Sequence, residues 1–276
     1  MRIIRTTLAL TALVAGATAC GSDNPGPNQA GDVGIGFRLA QSSSSSNLMA
    51  GFTAEDGTPV TVAAATAEPT PLGFLISRDD DELLVTKAQI VIKNVKLKRT
   101  SASCDDDDDD DRGSNRRDDG CPTMHVGPYL VDMAVTGVDG GRLSGDLPGG
   151  SYSAGRFDIH KVTSSRSDDL AFRQAHPDFR DISVRLEGTY NGTPFTFVSD
   201  VNAKLDVPLP EPLAIGGDID NITVTIDVGS WFVNTSGGLY SPALANTPGL
   251  IRARVDNNIR FAFKAFRDKN RDGRKD

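Results

Sequence analysis

Apolar residues along this chain alternate with polar or small ones in short runs, with a period of two more often than 3.6. Val33, Ile35, Phe37 and Leu39 alternate with Gly34, Gly36 and Arg38, the pattern of a half-buried strand. Short apolar stretches follow at 60–62 and 72–76. LLVTKAQIVIKNVKLKR, residues 83–99, is rich in Val and Ile and long enough to bend or bulge. In PYLVDMAV (128–135), Tyr129, Val131, Met133 and Val135 alternate, and RFDIHKV (156–162) reads as another strand after a Pro148-Gly149-Gly150 turn. The clearest hairpin is ISVRLEGTYNGTPFTFVS, 182–199, with Ile182, Val184, Leu186 and Tyr190 on one side. Its Asn191-Gly192 pair favours the positive φ of a tight turn. Ile222, Val224, Ile226 and Val228 then alternate through NITVTIDV. Such strands between Gly/Pro turns predict a mainly-β fold, an antiparallel β-sandwich.

The C-terminus breaks the pattern. Thr247-Pro248 suits a helix start. Ile259, Ala262, Phe263 and Phe266 fall at helical spacing, which predicts a helix packing its stripe on the sheet. The sandwich is expected over 33–246, as one large or two packed small domains, and a C-terminal helix with a charged tail over 247–276. QSSSSSN (41–47) reads as a low-complexity loop, and no internal repeat is evident.

The first twenty residues bear on compartment. Arg2 and Arg5 precede an uncharged stretch from Thr6 to Ala19, shorter than the roughly 20 residues that span a bilayer. Residues 1–19 therefore read as an export signal. Ala17-Thr18-Ala19-Cys20 resembles the cleavage box of bacterial lipoproteins, with Ala17 where leucine is usual. The resemblance implies acylation of Cys20, a tether over 20–32 and attachment to a membrane. In the lipoproteins this box resembles, a residue such as Gly21 after the cysteine favours the outer membrane of a two-membrane host, periplasmic or surface-facing. The alternative is ordinary secretion with Cys20 a spare thiol. Export would place Cys104 and Cys121 in an oxidising compartment, where a pair flanking one loop reads as a disulfide.

Between those cysteines the chain runs DDDDDDDRGSNRRDDG, nine aspartates against three arginines. Adjacent residues of an extended chain advance about 3.3 Å, well inside a Debye length of about 8 Å. The run repels itself, attracts divalent cations diffusely and lacks the converging ligands of a defined site; a solvated loop stapled at its base is the plainer account. The formal net charge is −8, and no basic stripe offers a nucleic-acid surface.

Chemistry is sparse. The tail DKNRDGRKD resembles the first nine positions of the calcium loops of EF-hands and dockerins. The resemblance implies oxygens from Asp268, Asn270, Asp272, the Arg274 carbonyl and Asp276, with Lys269, Arg271 and Lys275 pointing outward. The twelfth-position glutamate is missing, so a plain charged tail stands as the alternative. His160 shares a strand face with Asp158 without a third ligand, and His125 and His176 sit in turn-rich segments. Trp231, in GSWF, is either core or a platform for a sugar ring. No GxSxG, HExxH or phosphate-binding glycine loop occurs.

KAQIVIKNVKLKR, VGPYLVDMAV and LPGGSYSAGRFDIHKV, within roughly 83–162, resemble uncharacterised bacterial lipoproteins carrying a domain of no assigned function. The resemblance implies an immunoglobulin- or transthyretin-like sandwich and transfers no active residues. The expectation is a lipid-anchored, non-enzymatic protein in a binding, adhesion or envelope-structural role. It would need no cofactor other than optional calcium, and its partner would be an envelope protein or glycan. The alternative is an extracytoplasmic hydrolase whose carboxylates converge only on folding.

Overall fold

The structure, a computed structural model, describes residues 31–40, 66–102, 121–135, 141–215, 220–271 and 275. Its strands are β1 (Gly31–Leu39), β2 (Thr66–Thr70), β3 (Gly73–Arg78), β4 (Asp81–Arg99), β5 (Thr123–His125), β6 (Tyr129–Met133) and β7 (Arg142–Leu147). They continue with β8 (Gly150–Ile159), β9 (Val184–Tyr190), β10 (Thr193–Ser199), β11 (Ala203–Ile215), β12 (Asp220–Ile226) and β13 (Phe263–Arg267). The helices are α1 (Ser167–Ala175), α2 (Val228–Trp231), α3 (Pro242–Ala245) and α4 (Leu250–Phe261). The fold is mainly β, a sandwich of a four-stranded sheet, β13-β12-β1-β7, and a nine-stranded one. Pairing is antiparallel as expected, except that β1 and β12 run parallel, Val33 opposite Asp220. No helix among the described residues is long and apolar enough to cross a membrane.

The nineteen-residue β4 organises the larger sheet. It pairs with β3, β6 and β5, and also with β9 and β8, while β11 adds to β8. Its apolar sequence changes phase twice: Leu83 and Val85 face the core, then Ala88, Ile90 and Ile92, then Val95 and Leu97. A strand with an unbroken period of two would turn one of these groups outward. Register shifts at Val85/Lys87 and again around Asn94, whose φ is +53°, restore the inward face each time. Glycines flank the first shift. A Cβ on Gly188 of β9 would overlap the Leu84 carbonyl oxygen, and one on Gly73 of β3 that of Val85.

Buried side chains from both sheets form one cluster. Edge-to-face ring contacts knit it: Phe37 of β1 to Phe157 of β8, centroids 6.0 Å apart, and Phe157 to Phe263 of β13, 5.5 Å. A smaller cluster of Val91, Val162, Phe172 and Phe179 lies where α1 and the turn at Pro177–Phe179 meet β4. Trp231 is wholly buried, so it belongs to the core and offers no platform for a sugar.

The C-terminal stripe requires a correction. The helix ends at Phe261, and Phe263 and Phe266, expected on it, lie instead in β13, paired antiparallel with β12. Phe263 and Ala265 face inward around an exposed Lys264, so the segment fits a period of two as well, and the ladder to β12 decides between them. The helix begins at Leu250, slightly beyond the expected Thr247-Pro248 start.

Candidate functional site

Glycine determines where the smaller sheet offers a recess. On β1 the inward positions are Val33, Ile35, Phe37 and Leu39, leaving Gly34 and Gly36 facing out. Arg142 of β7 lies across this bare strand, and its Nη2 donates to Asn221 Oδ1 on β12. A Cβ on Gly34 would stand 2.5 Å from that Nη2 and 2.7 Å from Asn221 Oδ1. Beyond β13 the chain turns back at Arg271, whose φ is +65° and whose Nε donates to the same Oδ1 at 3.1 Å. Two guanidinium groups thus converge on one amide oxygen.

Around that oxygen lies a small recess of about 30 Å³, lined by Gly36, Arg38, Arg142, Asn221, Thr223, Asp268 and Arg271 among others. Asn221, Thr223 and Asp268 are buried, whereas Arg142 and Arg271 are exposed. Thr223 Oγ1 donates to Asp268 Oδ2 at 2.6 Å, and the Asp268 amide donates to the Asn221 carbonyl. Among the described residues that line the recess, three arginines stand against one aspartate, in a chain that is acidic as a whole. Neither Arg142 nor Arg271 has a carboxylate within ion-pair distance among the described residues. Like charges roughly 6 Å apart repel by about 1–3 kcal/mol, the lower figure applying to groups as exposed as these.

The expected calcium loop meets this recess. Asp268, its first residue, is 1 % exposed and turned into the sheet toward Thr223. Arg271, expected to point outward, instead folds back onto Asn221. Asn270 follows in the turn, while Asp272, Arg274 and Asp276 lie outside the described residues. So do Cys20, Cys104 and the aspartate run at 105–111. Cys121 is buried and disulfide-bonded.

Other polar clusters have structural duties. His160 Nε2 lies 2.7 Å from Asp169 Oδ1, on a fully buried carboxylate at the start of α1. Asp169 Oδ2 accepts from the Thr163 amide at 2.7 Å and from Thr163 Oγ1 at 3.0 Å. Both oxygens are occupied, and the hydroxyl reaches the carboxylate rather than the ring, so the arrangement clamps helix to strand. Asp158, expected beside His160, instead accepts from Asn94 Nδ2 at 2.8 Å. His125 packs edge-on against Tyr129 and His176 lies over Phe172. No three-residue group of His, Cys, Asp or Glu suited to a metal occurs among the described residues.

Asp81 ties the hairpin tips. Its carboxylate accepts from Tyr190 Oη at 2.6 Å and the Leu239 amide at 3.0 Å, which hold its pKa below the usual range. Burial first, and then Asp81, push the Tyr190 phenol up to about 12.

Sequence reasoning missed the arginine recess. Arg38, Arg142, Asn221 and Arg271 are scattered along the chain, and the pairings of β1 with β12 and β7, and of β12 with β13, assemble them. A signal existed in two small outward residues on β1 opposite Asn221 and Thr223 of NITVTI. No protein-family model, no curated protein and no solved structure matches the chain.

Proposed function

We propose that this chain is an exported, lipid-anchored envelope protein whose β-sandwich serves a binding, adhesion or structural role. The observation carrying the proposal is the disulfide at Cys121, a bond that persists in oxidising compartments. The signal-like 1–19 segment and the cleavage box ending at Cys20 support the same compartment, with the outer membrane as destination. Pairing of Cys121 with Cys104 belongs to this reading. A role in display rather than turnover, with an envelope protein or glycan as partner, completes the reading. Mass spectrometry of the protein recovered from cell envelopes should find an acylated Cys20 at its N-terminus. An unmodified, cytoplasmic chain would overturn the proposal.

Calcium at the C-terminal loop remains part of the proposal, and Asp268 dictates how to test it. Removing the tail from 268 onward would also take away the Thr223 contact. The informative variant is Asp272→Asn with Asp276→Asn, titrated calorimetrically beside the parent. Equal heats would dismiss the loop as a calcium site.

The hydrolase reading draws its support from the buried Asp169 held against His160. It expects turnover of some ester, amide or glycoside that disappears in His160→Gln, whereas a clamp expects only a loss of stability.

A further inference from the structure

We infer that the recess on the four-stranded sheet binds a phosphate-class oxyanion, an inference that deepens the binding role proposed above by naming its ligand chemistry. Arg142 and Arg271 meet on Asn221 Oδ1, each using one nitrogen there. Their remaining donors meet no carboxylate among the described residues. Guanidinium groups present donors in a planar fork matched to pairs of oxyanion oxygens, and charge-assisted bonds of this kind are the stronger class.

The scaffold fixes the pair. Asn221 is 4 % exposed on β12 and receives both arginines, so their separation is set by a buried side chain rather than by free rotamers. Gly34 keeps the space under Arg142 clear, since any side chain there would displace the guanidinium. The left-handed backbone at Arg271 aims its side chain back over the sheet. Asp268 lies in the wall, where its Oδ2 accepts from Thr223 Oγ1, and Arg38 also lines the recess. The remaining balance favours an anion over a cation. A volume of about 30 Å³, room for about two water-sized groups, admits one or two oxygens of a ligand and leaves its body outside.

A phosphate group could arrive free or on a lipid headgroup, and the recess recognises the same oxygens in either. The test uses the full chain purified in detergent, titrated calorimetrically with inorganic phosphate against chloride at matched ionic strength. The paired variant Arg142→Gln/Arg271→Gln should weaken phosphate binding by about tenfold or more. The control Arg180→Gln/Arg260→Gln removes the same charge from exposed positions elsewhere and should leave binding intact. Thermal unfolding without phosphate verifies that both variants fold, and the single Arg271→Gln variant replaces the pair should β7 be disturbed. Titration with a soluble short-chain phosphatidic acid separates the sources: tighter binding than phosphate identifies a headgroup, and equal binding identifies the free anion. Heats indistinguishable from chloride, or equal weakening in the control pair, would overturn the inference. Acylation and envelope recovery are read separately, so that failure leaves the compartment proposal standing.

Discussion

Asp227 caps α2 by accepting from the Ser230 amide at 3.2 Å, in a position where burial pushes its carboxyl above the usual range. The Ser230 bond pulls the other way and is outweighed. With a folded pKa above the unfolded value of about 3.9, the ionised group opposes folding as pH rises through the folded value. Below the unfolded value both states are protonated and the penalty vanishes. Asparagine keeps the capping oxygen without the charge. Asp227→Asn should therefore raise Tm at neutral pH and lose that advantage in acid; a pH-independent difference in Tm would refute this. Arg78 presents a related problem at the end of β3. It is 7 % exposed, its Nε and Nη2 have no hydrogen-bond partner among the described residues, and burial lowers its pKa, with Asp79 offsetting part. Replacing unpaired buried charge by an apolar side chain of similar bulk is often neutral or stabilising. Arg78→Met is expected to gain about 1 kcal/mol in urea unfolding, and a loss of about 2 kcal/mol would reveal a partner for the guanidinium.

At the scale of elements, the first phase change in β4 depends on its glycine neighbours. Gly188→Ala should destabilise by about 2–4 kcal/mol, because backbone rather than a movable side chain occupies the space. A change below about 0.5 kcal/mol would mean that the β4–β9 register differs in solution. Edge strand β10 is closed by Asn246, whose Oδ1 accepts from the Val198 amide at 3.0 Å and whose Nδ2 donates to the Thr196 carbonyl at 2.6 Å. One side chain thereby imitates a ladder partner. Asn246→Ala should cost about 1–2 kcal/mol and promote concentration-dependent association, visible by light scattering. Legibility varied among the elements for identifiable reasons. The β9–β10 hairpin could be read because Asn191 and Gly192 adopt the positive φ values, +47° and +78°, that their types favour. The bend in β4 could be read from its length. By contrast, β11 was hidden because Pro208, Pro210 and Pro212 interrupt it, and the pairing itself shifts between Pro208 and Leu213. The short, polar α1 gave little periodicity, although it buries Phe172.

For the molecule as a whole, the disulfide contributes by restraining the unfolded chain. Should Cys121 join Cys104 across sixteen intervening residues, reduction would lower the unfolding free energy by about 3 kcal/mol. Denaturant melts with and without reductant measure this directly, and superimposed curves would rule out a stabilising bridge. The arginine recess also belongs to this scale. Composition marked the chain as acidic, yet folding gathers cations from β1, β7 and the C-terminal turn onto one face. No local window contains that information. The parallel pairing of β1 with β12 has a temporal consequence as well. Residue 33 finds its neighbour at 220, so the first of the described strands to leave a ribosome waits for nearly the last before its pairing is complete. Contacts so distant in sequence slow assembly, and a chain halted before β12 can pair its β1 strand on one side only, with β7. Nascent chains arrested short of 220 should therefore be digested by protease at β1, whereas the finished protein resists. Late closure of this kind leaves the smaller sheet unfinished until almost the whole chain has emerged.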